Sequence, residues 1–90
     1  MKSDPLDMRL AGCFSIPDEH PSLPGHFPGR PVVPGVVLID HAAALIGAQP
    51  RQVKFLAPVL PGQKIEVRYQ PGGAFICLRG AQPVVSGLLA

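Results

Sequence analysis

Ninety residues in which short apolar runs alternate with Pro-Gly breaks predict a single α+β domain, 1–90, with about five antiparallel strands wrapped around one apolar helix. Three features carry this expectation. The stretch VVLIDHAAALIGAQ after Pro34-Gly35 is long enough for a helix, KIEVRYQ alternates strictly, and the twelve prolines and ten glycines are placed between segments. Ten Leu, nine Val, five Ile and four Phe supply a core. A chain of this size buries only somewhat above ~60 % of its unfolded surface, so an oligomer is expected.

The first element is a strand within residues 8–16, MRLAGCFSI, stopped by Pro17. From Pro17 to Pro34 a proline recurs every three or four residues (17, 21, 24, 28, 31, 34), which forbids helix and predicts a long, stiff, extended loop. Structureless connections beyond about 12–15 residues usually carry function. The helix follows over about 34–47, opened by Pro34-Gly35 and ended by Gly47. Val36 to Ile39 and Ala42 to Ile46 make it apolar on every side, so it is expected to be central and buried all round, with Asp40 and His41 its only ionisable groups.

Four strand-like segments complete the chain: RQVKFLAPVL, KIEVRYQ, AFICLRG and PVVSGLLA. Pro61-Gly62 and Pro71-Gly72-Gly73 suit hairpin turns between the first three, because Pro presets the first central dihedral and Gly supplies the positive φ of the second. In KIEVRYQ, Ile65, Val67 and Tyr69 form the dry face and Lys64, Glu66 and Arg68 the wet one. There is no internal repeat.

The net charge of +2, with one Tyr and no Trp, offers neither a basic footprint nor stacking platforms, which argues against nucleic acid. No apolar run reaches the length of a membrane span or signal peptide, so a soluble, cytoplasmic protein without membrane insertion is expected. Cys13 and Cys77 have no metal or redox spacing and are expected to be buried small hydrophobes.

One stretch is more specific. GHFPGRPVVPGVVLID, with His26, Phe27, Pro28, Gly29, Pro31, Pro34, Gly35 and, fourteen residues after the histidine, Asp40, resembles the 3-hydroxyacyl-acyl-carrier-protein dehydratases of fatty-acid synthesis. KFLAPVLPGQ, from Lys54 to Gln63, is similar to that family's strand and turn. The two matches span most of residues 20–70. The resemblance implies the hot-dog fold, a substrate held on acyl carrier protein, and a homodimer in which His26 of one subunit meets Asp40 of its neighbour. It also implies fatty-acid or polyene and polyketide-like synthesis. Asp40 stands where Glu is commoner, Ala44 where Gln is usual and His41 where a small residue is usual, and the link from helix to Lys54 is short.

The chemistry of the residues fits this resemblance. Dehydrating a 3-hydroxyacyl thioester needs a base for the α-proton, an acid for the leaving hydroxyl and a donor for the thioester oxygen. It needs no cofactor. His26 suits the base because imidazole titrates near working pH, and Asp40 in its apolar helix suits the acid or water-orienting role. The first helical N–H groups, those of Gly35 and Val36, suit the oxyanion donors, and Asp40 lies about 7.5 Å further along the helix. Val36, Ala43, Ala44 and Gly47 fall on the Asp40 side at helical spacing and, with Phe27, suit the border of an acyl tunnel. Arg30 is the first choice for contact with an acidic carrier protein.

Blander readings stand beside these. His26 can be a loop histidine bonded to backbone, Asp40 a carboxylate paired with Arg51 or Arg30, and His41 a packed histidine outside the catalytic set. The proline series can be a polyproline ligand, while His20, His26, Asp40 and His41 lack a tight metal-ligand spacing, so no metal is expected. A non-catalytic subunit that binds acyl carriers or pairs with a larger dehydratase is the alternative function, and a hot-dog thioesterase the third.

Overall fold

The computed structural model describes residues 7–17 and 32–90. These form five strands and one helix in the order β1 (Arg9–Phe14), α1 (Gly35–Ile46), β2 (Pro50–Phe55), β3 (Ile65–Tyr69), β4 (Ala74–Arg79) and β5 (Gln82–Leu89). All pairings are antiparallel in one sheet of order β1-β3-β4-β5-β2.

The helix contains four Val or Ile residues among its twelve, which are weak helix formers, so its ends and its packing must define it. Pro34 (φ −58°, ψ 142°) is extended and needs no amide partner at the helix entry. Gly47 closes the other end in the left-handed region (φ 82°), its N–H donating to the Ala43 carbonyl at 2.8 Å. The helix packs on one face of the sheet against β1, β2 and β3. Val37, Leu38 and Ala42 from the helix meet Ile65 and Val67 of β3, Phe75 and Cys77 of β4, and Val85 and Leu89 of β5 in one core. Ala42 is fully buried, and its small side chain lets the helix approach the sheet closely.

Three expectations need correction. The helix is not buried all round: Val36, Asp40, Ala44 and Leu45 are exposed, because a single sheet covers only one face of a helix. Cys77 is fully buried, but Cys13 is exposed. It lies on β1, an outer strand of the sheet. The turn at Pro61-Gly62 exists but is not a hairpin, since β2 and β3 lie at separate places in the sheet and β2 pairs with β5 instead. Pro71 to Gly73 does join a hairpin, β3 to β4.

What replaces the missing hairpin is a bracket, residues 56–63. The chain leaves β2 at Leu56, whose N–H still donates to the Val84 carbonyl at 2.9 Å, and Pro58 then has no N–H with which to continue a ladder. The Val33 N–H donates to the Val59 carbonyl at 2.8 Å, and the Gly62 N–H donates to the Ile16 carbonyl at 2.8 Å. Val59 is buried between these contacts. The bracket thus grips the chain just after β1 and just before α1.

Candidate active site

The helix entry provides the first chemical feature. The Val37 and Leu38 amides both donate to the Pro34 carbonyl, at 3.0 and 3.4 Å, while the Gly35 and Val36 amides have no hydrogen-bond partner among the described residues. Among the described residues, nothing accepts from these two N–H groups at the positive end of a twelve-residue helix. A side chain at residue 35 would meet a neighbouring ring. A Cβ built on Gly35 would lie 2.6 Å from Cζ of Phe55, a ring that is itself 56 % exposed. An apolar groove of about 430 Å³ opens here, walled by Val32, Gly35, Leu38, Phe55, Leu56 and Pro58.

The second feature is Asp40. It is exposed, at helical spacing from exposed Val36 and Ala44, and Gly47 lies in the same line beyond them. Ala43 lies to the side and is buried at 7 % exposure. Val36, Asp40, Ala44 and Gly47 thus share one outward side of α1, while Gly35 is half-buried against Phe55. His26, Phe27 and Arg30 lie outside the described residues.

His41, kept out of the catalytic set by its sequence, has a definite structural place. Its ring stacks on Phe14 of β1 with centroids 4.9 Å apart and planes 15° from parallel. This contact ties the helix to β1 one residue from Asp40, so it helps fix the side on which the carboxylate emerges. No periodicity announces the pair, because the two residues belong to elements separated by the long proline loop. The covering of Gly35 by Phe55 is equally non-local.

Other reactive groups fall away. Burial pushes the Cys77 thiol up to about 12, which removes it as a nucleophile near neutrality. Arg68 pairs with Glu66 on the far side of β3 and donates to the Met8 carbonyl at 3.1 Å, a structural role. A second groove of about 450 Å³, walled by residues such as Gln52, Lys54, Ile76 and Ser86, contains none of the candidate catalytic, oxyanion or tunnel residues. Among the described residues no helix is long and apolar enough to cross a membrane.

Comparison with known proteins decides the family. The family model for ApeI-like proteins, described as ApeI dehydratase, matches residues 3–75. The chain belongs to the ApeI-like dehydratase family. Curated relatives of this ApeI-like chain include 3-hydroxyacyl-[acyl-carrier-protein] dehydratases FabZ. That of Bradyrhizobium sp. strain BTAi1 is 42 % identical over 73 % of this chain and 55 % of its own length. That of Geobacter metallireducens is 29 % identical over 88 % of this chain and 66 % of its own length. The chain therefore spans between about half and two thirds of the relatives it matches.

Among solved structures, the dehydratase heterocomplex ApeI:P from Xenorhabdus doucetiae superimposes with a TM-score of 0.66 at 21 % identity, covering 86 % of this chain and 80 % of that one. One helix laid on a five-stranded antiparallel sheet of this order is the hot-dog fold, as the resemblance implied.

Proposed function

We propose that this ApeI-like chain converts a 3-hydroxyacyl thioester carried on acyl carrier protein to the trans-2-enoyl thioester and water, without a cofactor. The observation that carries the reading is that the Gly35 and Val36 amides, without a hydrogen-bond partner among the described residues, open the same helix that carries the exposed Asp40 carboxyl. A thioester oxygen held by those amides has its enolate charge stabilised by fixed dipoles as the α-proton leaves. His26 takes that proton. Asp40 supplies a proton to the departing hydroxyl, the C–O bond breaks, and the electron pair of the C–H bond becomes the new double bond. Proton transfer from His26 through solvent restores the carboxyl.

Asp40 is exposed in the single chain, and the reading completes the site with a second copy. The His26 segment of each subunit then faces the neighbour's Asp40 in a homodimer, which also covers the apolar stripe beside it. Phe27, Ala43, Ala44 and Gly47 border the acyl tunnel, Arg30 meets the carrier protein, and the reaction takes place in the cytoplasm. Mass spectrometry of carrier-bound 3-hydroxyacyl substrates of several lengths tests this. A loss of water is expected with the unaltered protein, and only at a small residual rate with His26→Ala or Asp40→Ala. Retained turnover in both variants, or release of free acid, rejects the assignment.

A second reading is favoured by the likeness to a protein solved as a heterocomplex and by the shorter span of this chain. In it the chain pairs with a different, larger dehydratase subunit. Water loss only after a second chain is added, with binding of the carrier thioester in its absence, would select it.

A further inference from the structure

We propose that Arg79, at the end of β4, is a positioning residue that acts on the segment bearing His26 through the 56–63 bracket. The inference rests on the dehydratase reading for its functional consequence, and on hydrogen bonds among described residues for its structural part. The bracket holds the chain on both sides of that segment. Its Gly62 amide binds the Ile16 carbonyl before it, and its Val59 carbonyl binds the Val33 amide after it. Ile16, Val33 and Val59 are 2 %, 3 % and 1 % exposed, so both anchor points are also packed. The two points on the bracket that hold Ile16 and Val33, Gly62 and Val59, are only three residues apart.

The bracket has no sheet ladder of its own beyond Leu56 and Ala57, and a side chain fixes it instead. Nη1 of Arg79 donates to the Pro58 carbonyl at 2.7 Å and to Oε1 of Gln63 at 3.1 Å, while Nη2 donates to Oε1 of Gln82 at 2.7 Å. The same Gln63 oxygen accepts the Leu60 amide at 2.9 Å. One planar guanidinium therefore clamps the bracket on both flanks, at 58 and at 63, and ties it to the start of β5. Lysine lacks the rigid fork that reaches such a set of acceptors. Residues 58 and 63 enclose both anchoring residues, Val59 and Gly62, so slack at the clamp is passed to both tethers together. A misplacement of about 1 Å in catalytic geometry can cost on the order of 100-fold in rate.

The test uses the full chain. In Arg79→Gln, hydrogen exchange is expected to accelerate at least about tenfold at the Val33 and Gly62 amides, with rates in the β3–β4 ladder unchanged. kcat is expected to fall about 10- to 100-fold with little change in KM, and Arg79→Lys to recover part of it. In a His26→Ala background the same substitution is expected to cost less than about twofold, because a residue acting through another has nothing left to position. Equal losses in both backgrounds, or unaltered exchange at both anchor amides, would overturn the proposal. Should Arg79→Gln not fold, Gln63→Met replaces the amide that carries the shared oxygen while keeping Arg79, and is expected to give the same pattern. If the unaltered protein forms no enoyl product, the dehydratase reading fails, while the exchange arm still decides whether Arg79 fixes the two anchors.

Discussion

The ring of Phe55 lies directly against Gly35: a Cβ on residue 35 would fall 2.6 Å from Cζ and 2.7 Å from Cε1 of the ring. Gly35→Ala must therefore push Phe55 away or tilt the helix entry. Because that ring is more than half exposed and can swing outward, a destabilisation of no more than about 1 kcal/mol is expected, with turnover lowered as the Gly35 and Val36 amides shift. Adding Phe55→Ala is expected to restore much of the loss, measured by denaturant unfolding and by product formation. Additive costs would contradict the steric account.

Asp40 is exposed, with no ion-pair partner among the described residues, so its replacement should spare the fold. Asp40→Asn is expected to change unfolding free energy by no more than about 0.5 kcal/mol while turnover falls at least about 100-fold. Parallel loss of stability and activity would point to a structural carboxylate.

The stack of His41 on Phe14 joins α1 to β1 across the sheet face. His41→Ala is expected to cost about 1 kcal/mol in denaturant unfolding, and His41→Phe to recover most of it. An alanine variant as stable as the parent would show that the contact contributes nothing.

The two cysteines should separate by reactivity. Cys13 is exposed and Cys77 is fully buried, so a thiol reagent at neutral pH is expected to label Cys13 alone in the folded protein and both after unfolding. The Cys77 thiol also creates an alkaline dependence. Its folded pKa of about 12 lies above the ordinary 9.0, so the unfolded chain releases this proton first as pH rises. The contribution is fully present below pH 9 and is lost between 9 and 12, at a limiting slope of about 1.4 kcal/mol per pH unit. Cys77→Ala is expected to flatten that part of the stability profile relative to the parent.

The sequence reveals what depends on neighbours along the chain. Pro34 and Gly47 mark the ends of α1 within a residue of where they fall, and the alternation of Ile65, Val67 and Tyr69 identifies the inner face of β3. Pairing at a distance is less visible. Lys54 lies opposite Ser86 and Phe55 opposite Val85, yet the Pro61-Gly62 signal suits a local hairpin just as well. The exposure of Cys13 depends on β1 being an outer strand, which no local composition records. In the site, Gly35, Val36 and Asp40 follow from helical spacing, whereas Phe55, His41 and Arg79 gain their roles only from tertiary contacts.

The sheet order has a kinetic consequence. The β3-β4-β5 hairpins can close locally, but the Arg68 guanidinium meets the Met8 carbonyl across 60 residues, and β2 has no partner until β5 exists. Both outermost strands must therefore wait for loop closures of high entropic cost, and refolding belongs in the millisecond-to-second range typical of high contact order. During synthesis on the ribosome, α1 and β2 emerge well before the strand that shelters them. Their apolar surface stays open to wrong partners until the last hairpin arrives.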